Sequence, residues 1–216
     1  MLAQTTPNPS ARQFTPADGE MVLKSPGPAL DYRSKYEASE SPLAKELFSV
    51  VPGVSGVTLA QHFITVSLDL SAVGWEDEVA HTGGTCTAEV AVERTIDSLL
   101  RSGKPVIDDA VEARRMEAMA AINSGDDETV LHIKEVLETH VRPNVQMDGG
   151  DVEYVSFDHE RGRLVLRLVG ACVSCASSTV TLRFMIRNVV CHHVDEVREV
   201  TAAEPVSDET DDNWTG

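Results

Sequence analysis

The 216-residue sequence predicts an α+β protein with two small mixed α/β domains joined by a linker. The length is enough for two small domains, and the 42% hydrophobic fraction is enough for folded cores. Strand and helix periodicities occur in both halves, and a stretch without a sustained apolar stripe separates them. The predicted boundaries are 1–105 for the first domain, 106–126 for the linker, 127–203 for the second domain and 204–216 for an acidic, disordered tail.

The first domain contains two predicted helices and one predicted strand. Residues 41–50 predict a helix with Ser41 as its N-cap and Pro42 at its first position. Residues 62–70, HFITVSLDL, alternate apolar and polar side chains, which predicts a strand with one buried face and one face in water. A second helix is predicted over residues 87–100. The linker that follows is rich in helix formers, so we expect it to be partly helical and exposed.

The second domain is predicted to have the element order α-β-β-α-β. Apolar residues at helical spacing from Val130 to Val141 predict a helix that begins near Asp127 and that Pro143 ends. The elements after it are strands over 152–157 and 163–169, a helix over 178–194 and a last short strand over 195–200. The loop GACVSCASS lies between the second strand and the second helix.

The acidic balance of the chain excludes several classes of function. The 18 Lys and Arg against 35 Asp and Glu give a formal net charge of −17. Binding to a nucleic-acid backbone or to an anionic membrane surface needs clustered basic residues, so we expect neither partner. No apolar run approaches the roughly 20 residues that a membrane-spanning helix needs.

Cysteine usage and the first residues bear on the compartment. The opening MLAQTTPNPSARQF shows neither the apolar core of a secretory signal nor the Arg-rich amphipathic pattern of a transit peptide. With four cysteines in 216 residues, the chain does not resemble a disulfide-stapled secreted scaffold. We therefore expect a reducing compartment, where a CxxC pair is typical of a metal or redox site.

Cys172 and Cys175 form the one CxxC pair of the sequence. The pair follows a predicted strand and precedes a predicted helix, so both thiols can face one side of a tight loop. The free N–H groups and positive dipole end of that helix stabilise thiolate, which is the form that binds soft metals. A tetrahedral zinc site or an iron–sulfur cluster normally takes four ligands, and a second copy of the pair across a two-fold axis would supply the other two.

Other ligands are available within the same chain, namely Cys86, Cys191, His192 and His193. Each also has a simpler explanation. Cys86 and Cys191 fit the role of small buried hydrophobes. The two histidines lie near the end of a predicted helix, where their partial positive charge is favourable. We interpret all four in this simpler way, although the residues alone leave the ligand set open.

Several motifs recur in a fixed order along the chain. The second half contains Arg142-Pro143, Asp148-Gly149-Gly150-Asp151, Gly170, Cys172, Cys175 and Ser177-Ser178-Thr179-Val180-Thr181-Leu182. This half resembles the C-terminal cluster-binding domain of the Nfu family, the NifU-like iron–sulfur scaffold proteins. The first half contains TPNP, SPLAKELF, GVSGV, FITVS, Trp75 and SGKPV. It resembles the N-terminal domain of the same family, so the resemblance covers nearly the whole chain.

The resemblance implies a scaffold or carrier that is not an enzyme. Members of this family hold a 4Fe-4S cluster between two protomers, so Cys172 and Cys175 map onto the cluster ligands and a homodimer forms on cluster binding. They receive the cluster from iron–sulfur donor proteins and pass it to apo-proteins, which in mitochondria include lipoyl synthase and respiratory-complex subunits. The implied location is the mitochondrial matrix for a eukaryotic source and the cytoplasm for a bacterial one.

The CxxC loop departs from the family pattern in two places. Ala176 stands where a proline usually follows the second cysteine. Val173 and Ser174 stand inside the motif, where a small or glycine pair is common. We expect the loss of the proline to loosen the start of the next helix and to change how readily a cluster is released.

Two functions of other classes stay open alongside the carrier. A thiol–disulfide oxidoreductase would cycle the CxxC pair as a disulfide, but such enzymes place the pair in a parallel βαβ context, and here it follows an antiparallel hairpin. A structural zinc protein would need two further ligands near the pair. The concrete set for that zinc site is Cys172, Cys175, Cys191 and His192.

Overall fold

The computed structural model describes residues 1–82, 84–122, 126–174 and 176–203. Within these ranges, the side chains of residues 118–122, 173–174 and 176–181 are not described. The predicted tail over 204–216 and Cys175 therefore lie outside the described residues. The described chain mixes helices and strands in both halves, which confirms the predicted α+β class.

A five-stranded antiparallel sheet organises the first half of the chain. Its strands are β1 (Leu2–Thr5), β2 (Ala11–Thr15), β3 (Leu30–Tyr32), β4 (Val54–Leu59) and β5 (Ile64–Leu68). Their order across the sheet is β1-β2-β5-β4-β3. The residue pattern predicted β5 alone, because the other strands are three to six residues long and show no sustained alternation.

Three α-helices, a 3-10 turn and a hairpin complete this half. They are a 3-10 turn (Glu37–Glu40), α1 (Pro42–Val50), β6 (Glu78–His81), β7 (Gly84–Thr87), α2 (Ala88–Arg101) and α3 (Asp109–Ile122). Both predicted helices are confirmed as α1 and α2. Ser41 caps α1 as expected, since its Oγ accepts a hydrogen bond from the backbone N–H of Ala44 at 3.1 Å. Thr87 caps α2 in the same way, through the N–H of Val90.

The first core lies between α1, α2 and one face of this sheet. Its fully buried members from the strands include Phe14 and Ile64. The helices contribute Leu43, Leu47 and Ile96. These side chains are aliphatic with few aromatics, in keeping with a sequence that has 5% aromatic residues.

The opposite face of the sheet carries polar side chains and is also buried. All five residues of β5 are buried, and Thr65 on its polar side is only 1% exposed. The prediction that one face of this strand lies in water is therefore wrong. The alternation of side chains is correct, but Gly149 from the second half of the chain packs against Thr65 and excludes the solvent.

The second half forms a three-stranded sheet flanked by helices. Its elements are α4 (Glu128–Val136), a π-helical turn (Leu137–Val141), α5 (Arg142–Met147), β8 (Gly150–Asp158), β9 (Arg163–Gly170), α6 (Ala171–Ser174), α7 (Ala176–His193) and β10 (Glu199–Ala202). Strands β8 and β9 are antiparallel, and β10 joins β9 in parallel. The order α-β-β-α-β is therefore confirmed. No helix within the described ranges is long and apolar enough to cross a membrane.

Several details of the second half differ from the sequence prediction. Residues Ala171–Ser174, predicted as part of a loop, form the short helix α6, and α7 begins at Ala176 rather than at residue 178. Pro143 does not end the helical chain, because it lies in the first turn of α5, where its missing N–H costs no hydrogen bond. The last strand begins at Glu199 rather than at residue 195. Residues before it form a turn closed by a hydrogen bond from the N–H of Val197 to the carbonyl of Val194 at 3.1 Å.

The segment predicted as a linker contains α3, so its helical character is as expected. Its beginning is not exposed, because Ile107 and Val111 are each 6% exposed and belong to the first core. Arg115 on α3 also donates from Nη1 to the carbonyl of Pro28 at 2.6 Å. The domain boundaries at 105, 126 and 203 stay predictions.

Candidate functional site

The junction between β9 and α7 carries the CxxC pair. Strand β9 ends at Gly170, and the short helix α6 begins at Ala171. Cys172 is the second residue of α6, whereas Cys175 lies outside the described residues. The 18-residue helix α7 starts directly after it. The first cysteine therefore lies at the strand-to-helix junction that the sequence indicated, and its role as a ligand stays a prediction.

The side chain of Cys172 is buried. It is 3% exposed and belongs to the second core, the apolar cluster of the second half, which also contains Ile133, Leu164 and Ile186. Gly150 at the start of β8 lies directly against it, because a Cβ atom built on Gly150 would stand 2.3 Å from the Sγ of Cys172 and 2.8 Å from the carbonyl oxygen of Val169. Carbon atoms normally pack about 3.5–4.0 Å apart. There is therefore room only for glycine at position 150.

The turn formed by residues 148–151 holds β8 beside this cysteine. Gly149 has a φ of +78°, which lies in the left-handed region that favours glycine. Burial raises the pKa of the Asp148 carboxyl above its ordinary value. The carboxylate of Asp151 is 1% exposed, and its Oδ2 accepts a hydrogen bond from the N–H of Ala29 at 2.8 Å. The turn is thus tied to the first half of the chain.

Asp151 also lies beside a partly buried cation, Arg142. Its Oδ1 is 2.9 Å from the Nε of Arg142, which is an ion pair by distance although the N–H is not directed at the oxygen. The Nη2 of Arg142 donates to the carbonyl of Val152 at 2.9 Å. A buried carboxylate needs such a partner, so Arg142 stabilises the charge that fixes the turn.

A row of polar side chains on the first sheet faces this site. The row contains residues that pair directly across four strands, which are Gln13 on β2, Thr65 on β5, Thr58 on β4 and Asp31 on β3. Directly paired residues project from the same face of a sheet. Thr65, Thr58 and Gln13 are 1%, 3% and 7% exposed. We call these four residues the polar row.

The polar row contacts two backbone segments beside Cys172, which are the turn at residues 148–151 and the turn at Gly170. Gln13 donates from Nε2 to the carbonyl of Gln146 at 3.0 Å, just before the turn at residues 148–151. A Cβ built on Gly149 would lie 3.3 Å from Oγ1 of Thr65. A Cβ built on Gly170 would lie 3.2 Å from Oγ1 of Thr58. The backbones of both turns are thus pressed closely onto the first sheet.

Two further side chains bind carbonyl groups next to Cys172. Asn8, which is 6% exposed, donates from Nδ2 to the carbonyl of Ala171 at 3.1 Å. Arg33 donates from Nη2 to the carbonyl of Gly170 at 3.1 Å, while its Nε pairs with Asp31 at 2.7 Å. Sequence reasoning missed both residues. Local pattern could place Asn8 only in a turn, because its partner is 163 positions away.

Cys86 and Cys191 both pack against a core, and their roles as small hydrophobes rather than ligands stay predictions. Cys86 on β7 is half-buried against the first core, and Cys191 on α7 is half-buried against the second. In the part of the chain that the structure describes, no three His, Cys, Asp or Glu side chains converge as a metal site. Cys172, Cys191 and His192 therefore do not assemble into the hypothetical zinc set.

Histidine rings cluster near the end of α7. The ring of His193 lies 4.4 Å from that of His140 and 5.1 Å from that of His192, measured between centroids. Loss of solvation lowers the pKa of His193 below its ordinary value, and positive charge on His140, His192 and His132 lowers it further. Both α7 histidines lie in its last turn, where the sequence placed them.

The fold and this site define a class of protein. The chain is an α+β protein with a thiol pair between the end of a strand and the start of a long helix. Comparison with known families then specifies it. The model described as "Scaffold protein Nfu/NifU N terminal" matches residues 1–81, and the model described as "NifU-like domain" matches residues 133–201. Both resemblances are confirmed in the expected order, and the chain belongs to the Nfu family.

Known relatives agree with this assignment. The chain is 38% identical over 197 residues to NifU-like protein 5, mitochondrial, of Arabidopsis thaliana, with 91% of this chain and 65% of that protein covered. It is 39% identical over 208 residues to NFU1 iron-sulfur cluster scaffold homolog, mitochondrial, of Drosophila willistoni, with 96% and 64% covered. The chain thus spans slightly less than two thirds of the length of these relatives.

A solved structure shows a weaker likeness. The solution NMR structure of a NifU-like protein from Saccharomyces cerevisiae is 24% identical, with a TM-score of 0.41. The match covers 49% of this chain and 82% of that chain. A score at this level carries no argument about the site, so the family assignment depends on the sequence matches.

Proposed function

We propose that this chain is an iron–sulfur cluster scaffold and carrier without catalytic turnover of its own. The observation that carries the proposal is the CxxC pair between β9 and α7, inside the segment that matches the NifU-like domain. The Drosophila willistoni relative is named an iron-sulfur cluster scaffold homolog, which supports the same role for this chain.

Cys172 and Cys175 are the proposed ligands of a 4Fe-4S cluster. Such a cluster takes four thiolates, and one chain provides two from its CxxC pair. Cys86 packs against the first core, whereas Cys172 lies in the second. Cys191 packs against the same core as Cys172, but no group of three possible ligands forms there in the described part of the chain. A second protomer therefore completes the set, and the cluster is carried as cargo between two copies of the chain.

The local chemistry favours thiolates that can later be given up. The net charge of −17 opposes a bound anion, so stabilisation has to come from nearby groups. The start of the 18-residue helix α7 provides free N–H groups and a positive dipole end, which favour thiolate over thiol. Since each protomer holds half of the ligands, separation of the protomers would release the cluster.

The proposed partners are iron–sulfur donor proteins and recipient apo-proteins such as lipoyl synthase. The donors would deliver the cluster, and the recipients would take it by ligand exchange at the CxxC pair. The relatives from Arabidopsis thaliana and Drosophila willistoni are named mitochondrial. We therefore propose the mitochondrial matrix for a eukaryotic source and the cytoplasm for a bacterial source.

Anaerobic reconstitution with iron and sulfide tests the ligand set. We expect about four iron and four sulfide for every two chains, with a doubling of mass by light scattering when the cluster binds. Cys172→Ala and Cys175→Ala should each abolish both the cluster and the dimer. Cys86→Ala and Cys191→Ala are the matched controls and should leave both unchanged, because their side chains pack against the cores.

Two results would contradict the carrier. A monomer that binds one zinc ion tightly would support the structural zinc protein instead. Reversible exchange of a Cys172–Cys175 disulfide with substrate turnover, in a chain that binds no cluster, would support the oxidoreductase.

A further inference from the structure

We propose that the first sheet is a clamp that keeps Cys172 covered, and that the two halves of the chain must part at the polar row before this cysteine can bind a metal. A ligand that is 3% exposed has no surface to offer a cluster, so this arrangement is a closed form. The clamp consists of the polar row together with Asn8 and Arg33.

The cover on Cys172 is built in two layers. The inner layer is the backbone at Gly150, where a Cβ atom would stand 2.3 Å from Sγ. The outer layer is Thr65 of the first sheet together with Thr6, which follows β1. A Cβ built on Gly149 would meet Cγ2 of Thr6 at 2.8 Å and Oγ1 of Thr65 at 3.3 Å. The inner layer therefore cannot move away from the sulfur while the first sheet stays in place.

Hydrogen bonds from the first half fix the other side of the cysteine. Asn8 and Arg33 bind the carbonyl groups of Ala171 and Gly170, the two residues that precede Cys172. These bonds hold the start of α6 against the first sheet. The turn at residues 148–151 and the start of α6 are thus both restrained by groups from the first half of the chain.

The contact has the composition of an interface that opens. It is formed by polar side chains, with one small apolar cluster of Ala29, Ala60, Phe63 and Val169 beside it. Interfaces between domains of one chain that are polar and small permit relative motion. Each of these polar groups can exchange its partner for water in the open form. Opening therefore leaves few buried polar atoms without a hydrogen bond.

One atom in the contact favours the open form outright. The Oγ1 of Thr65 is buried and has no hydrogen-bond partner in the described part of the chain. Burying an unsatisfied hydroxyl is unfavourable, and in the open form water would satisfy it. This residue therefore weakens the clamp, whereas Asn8 and Arg33 strengthen it. Substitution of the two kinds of residue should therefore change the accessibility of Cys172 in opposite directions.

The first measurement is the alkylation rate of Cys172 in the full-length, cluster-free protein, followed by peptide mass spectrometry. Asn8→Asp with Arg33→Ala removes both donors, while the aspartate keeps the Oδ1 atom that accepts from Ser10. Each lost hydrogen bond should raise the open population, and hence the rate, about two- to tenfold. Arg101→Ala is the matched control, since Arg101 is an exposed residue of α2 that lies outside the clamp.

The second measurement uses Thr65→Val, which removes the unsatisfied hydroxyl and keeps the shape of the side chain. Because the change favours only the closed form, the rate at Cys172 should fall, by about fivefold or more. Thr85→Val, at an exposed position of β7, is its control and should have no effect. Cys86 and Cys191 are internal references in the two cores, and their rates should stay constant in every variant.

Three outcomes would overturn the clamp. The first is an unchanged rate at Cys172 in the double variant. The second is a rate in Thr65→Val that is unchanged or faster. The third is an alkylation rate that rises at Cys86 and Cys191 together with Cys172, in both the double variant and Thr65→Val. Such a result would mean general unfolding. If the double variant alone unfolds, the result from Thr65→Val decides.

The consequence for cluster loading rests on the proposed function. In anaerobic reconstitution, the double variant should bind the cluster faster than the wild-type chain, and Thr65→Val should bind it more slowly. The alkylation experiment contains no metal, so the two proposals fail separately. A chain that never binds a cluster would refute the carrier and leave the clamp to be decided by the alkylation rates.

Discussion

Replacing Gly150 with alanine would put a methyl group where the sulfur of Cys172 already lies. The added Cβ would stand 2.3 Å from Sγ, 3.0 Å from the Cβ of Cys172 and 2.8 Å from the carbonyl oxygen of Val169. The sulfur contact is more than about 1 Å inside a normal separation. Turning the sulfur away would not relieve the contact with the carbonyl, because that oxygen belongs to the backbone of β9.

The loss of stability expected for Gly150→Ala is the difference between two opposing effects. Overpacking a tight interior position costs about 1–3 kcal/mol, and three short contacts place this site near the upper value. Glycine to alanine in an ordinary strand conformation gains up to about 1 kcal/mol by restricting the unfolded chain. The φ of Gly150 is not positive, so this gain applies. The net destabilisation should be about 2 kcal/mol.

Urea unfolding followed by far-UV circular dichroism measures this loss. With a slope of about 1–3 kcal/mol per molar urea, the midpoint should fall by roughly 1 M. Gly56→Ala is the matched control, since Gly56 also lies in a strand without a positive φ. The nearest atoms to its added Cβ lie at 3.5 Å, which is an ordinary contact. Its midpoint should stay within about 0.3 M of the wild-type value or rise slightly.

The comparison of the two alanine variants is decisive for the packing of Cys172. If Gly150→Ala unfolds at the same urea concentration as Gly56→Ala, the sulfur does not lie against Gly150 and the cover described above is wrong. The alkylation rate of Cys172 gives a second reading, because displaced sulfur should react faster in Gly150→Ala and not in Gly56→Ala.

Two further predictions concern α3 and the histidine cluster. Arg115→Ala should lower the free energy of unfolding by about 1–3 kcal/mol and speed amide exchange in α3, because the hydrogen bond of Arg115 to the carbonyl of Pro28 is partly buried. Arg114→Ala loses only an exposed ion pair and should change stability by less than about 1 kcal/mol. Equal effects of the two changes would refute the anchoring of α3 by Arg115. An NMR titration of His193 should give a midpoint below the ordinary pKa of about 6.5, and His140→Gln should raise it. Since the folded pKa is the lower one, the neutral ring stabilises the fold above the unfolded pKa, and this contribution is lost as pH falls through the folded pKa; an ordinary midpoint would refute the contact.

Local signals predicted the helices of this chain well. A capping hydroxyl with proline at the first position fixed the start of α1, and an apolar stripe marked α2. The same kind of signal placed Cys172 between a strand and a helix. These features depend on residues within a few positions of one another, so they can be read from the chain without knowledge of its tertiary contacts.

Contacts between distant segments account for what the sequence could not predict. The polar side of β5 is covered by a turn more than 80 positions away, and no local pattern encodes that cover. Pro143 was expected to end a helix, but a π-helical turn before it lets a new helix begin there. The partners of Asn8 and Arg33 are backbone carbonyl groups, which leave no trace in the sequence.

The two glycines of the turn beside Cys172 contact different parts of the molecule. The space at Gly150 is limited by Cys172 and Val169, which belong to the same half of the chain. The space at Gly149 is limited by Thr6 and Thr65, which belong to the first half of the chain. A side chain at position 150 would therefore disturb the cysteine through contacts within the second half of the chain alone. A side chain at position 149 would carry the backbone strain of a positive φ in both forms, but its collision with the threonines exists only in the closed form. Glycine at position 149 is thus required for two reasons: the positive φ of the turn in both forms, and the close approach of the two threonines in the closed form.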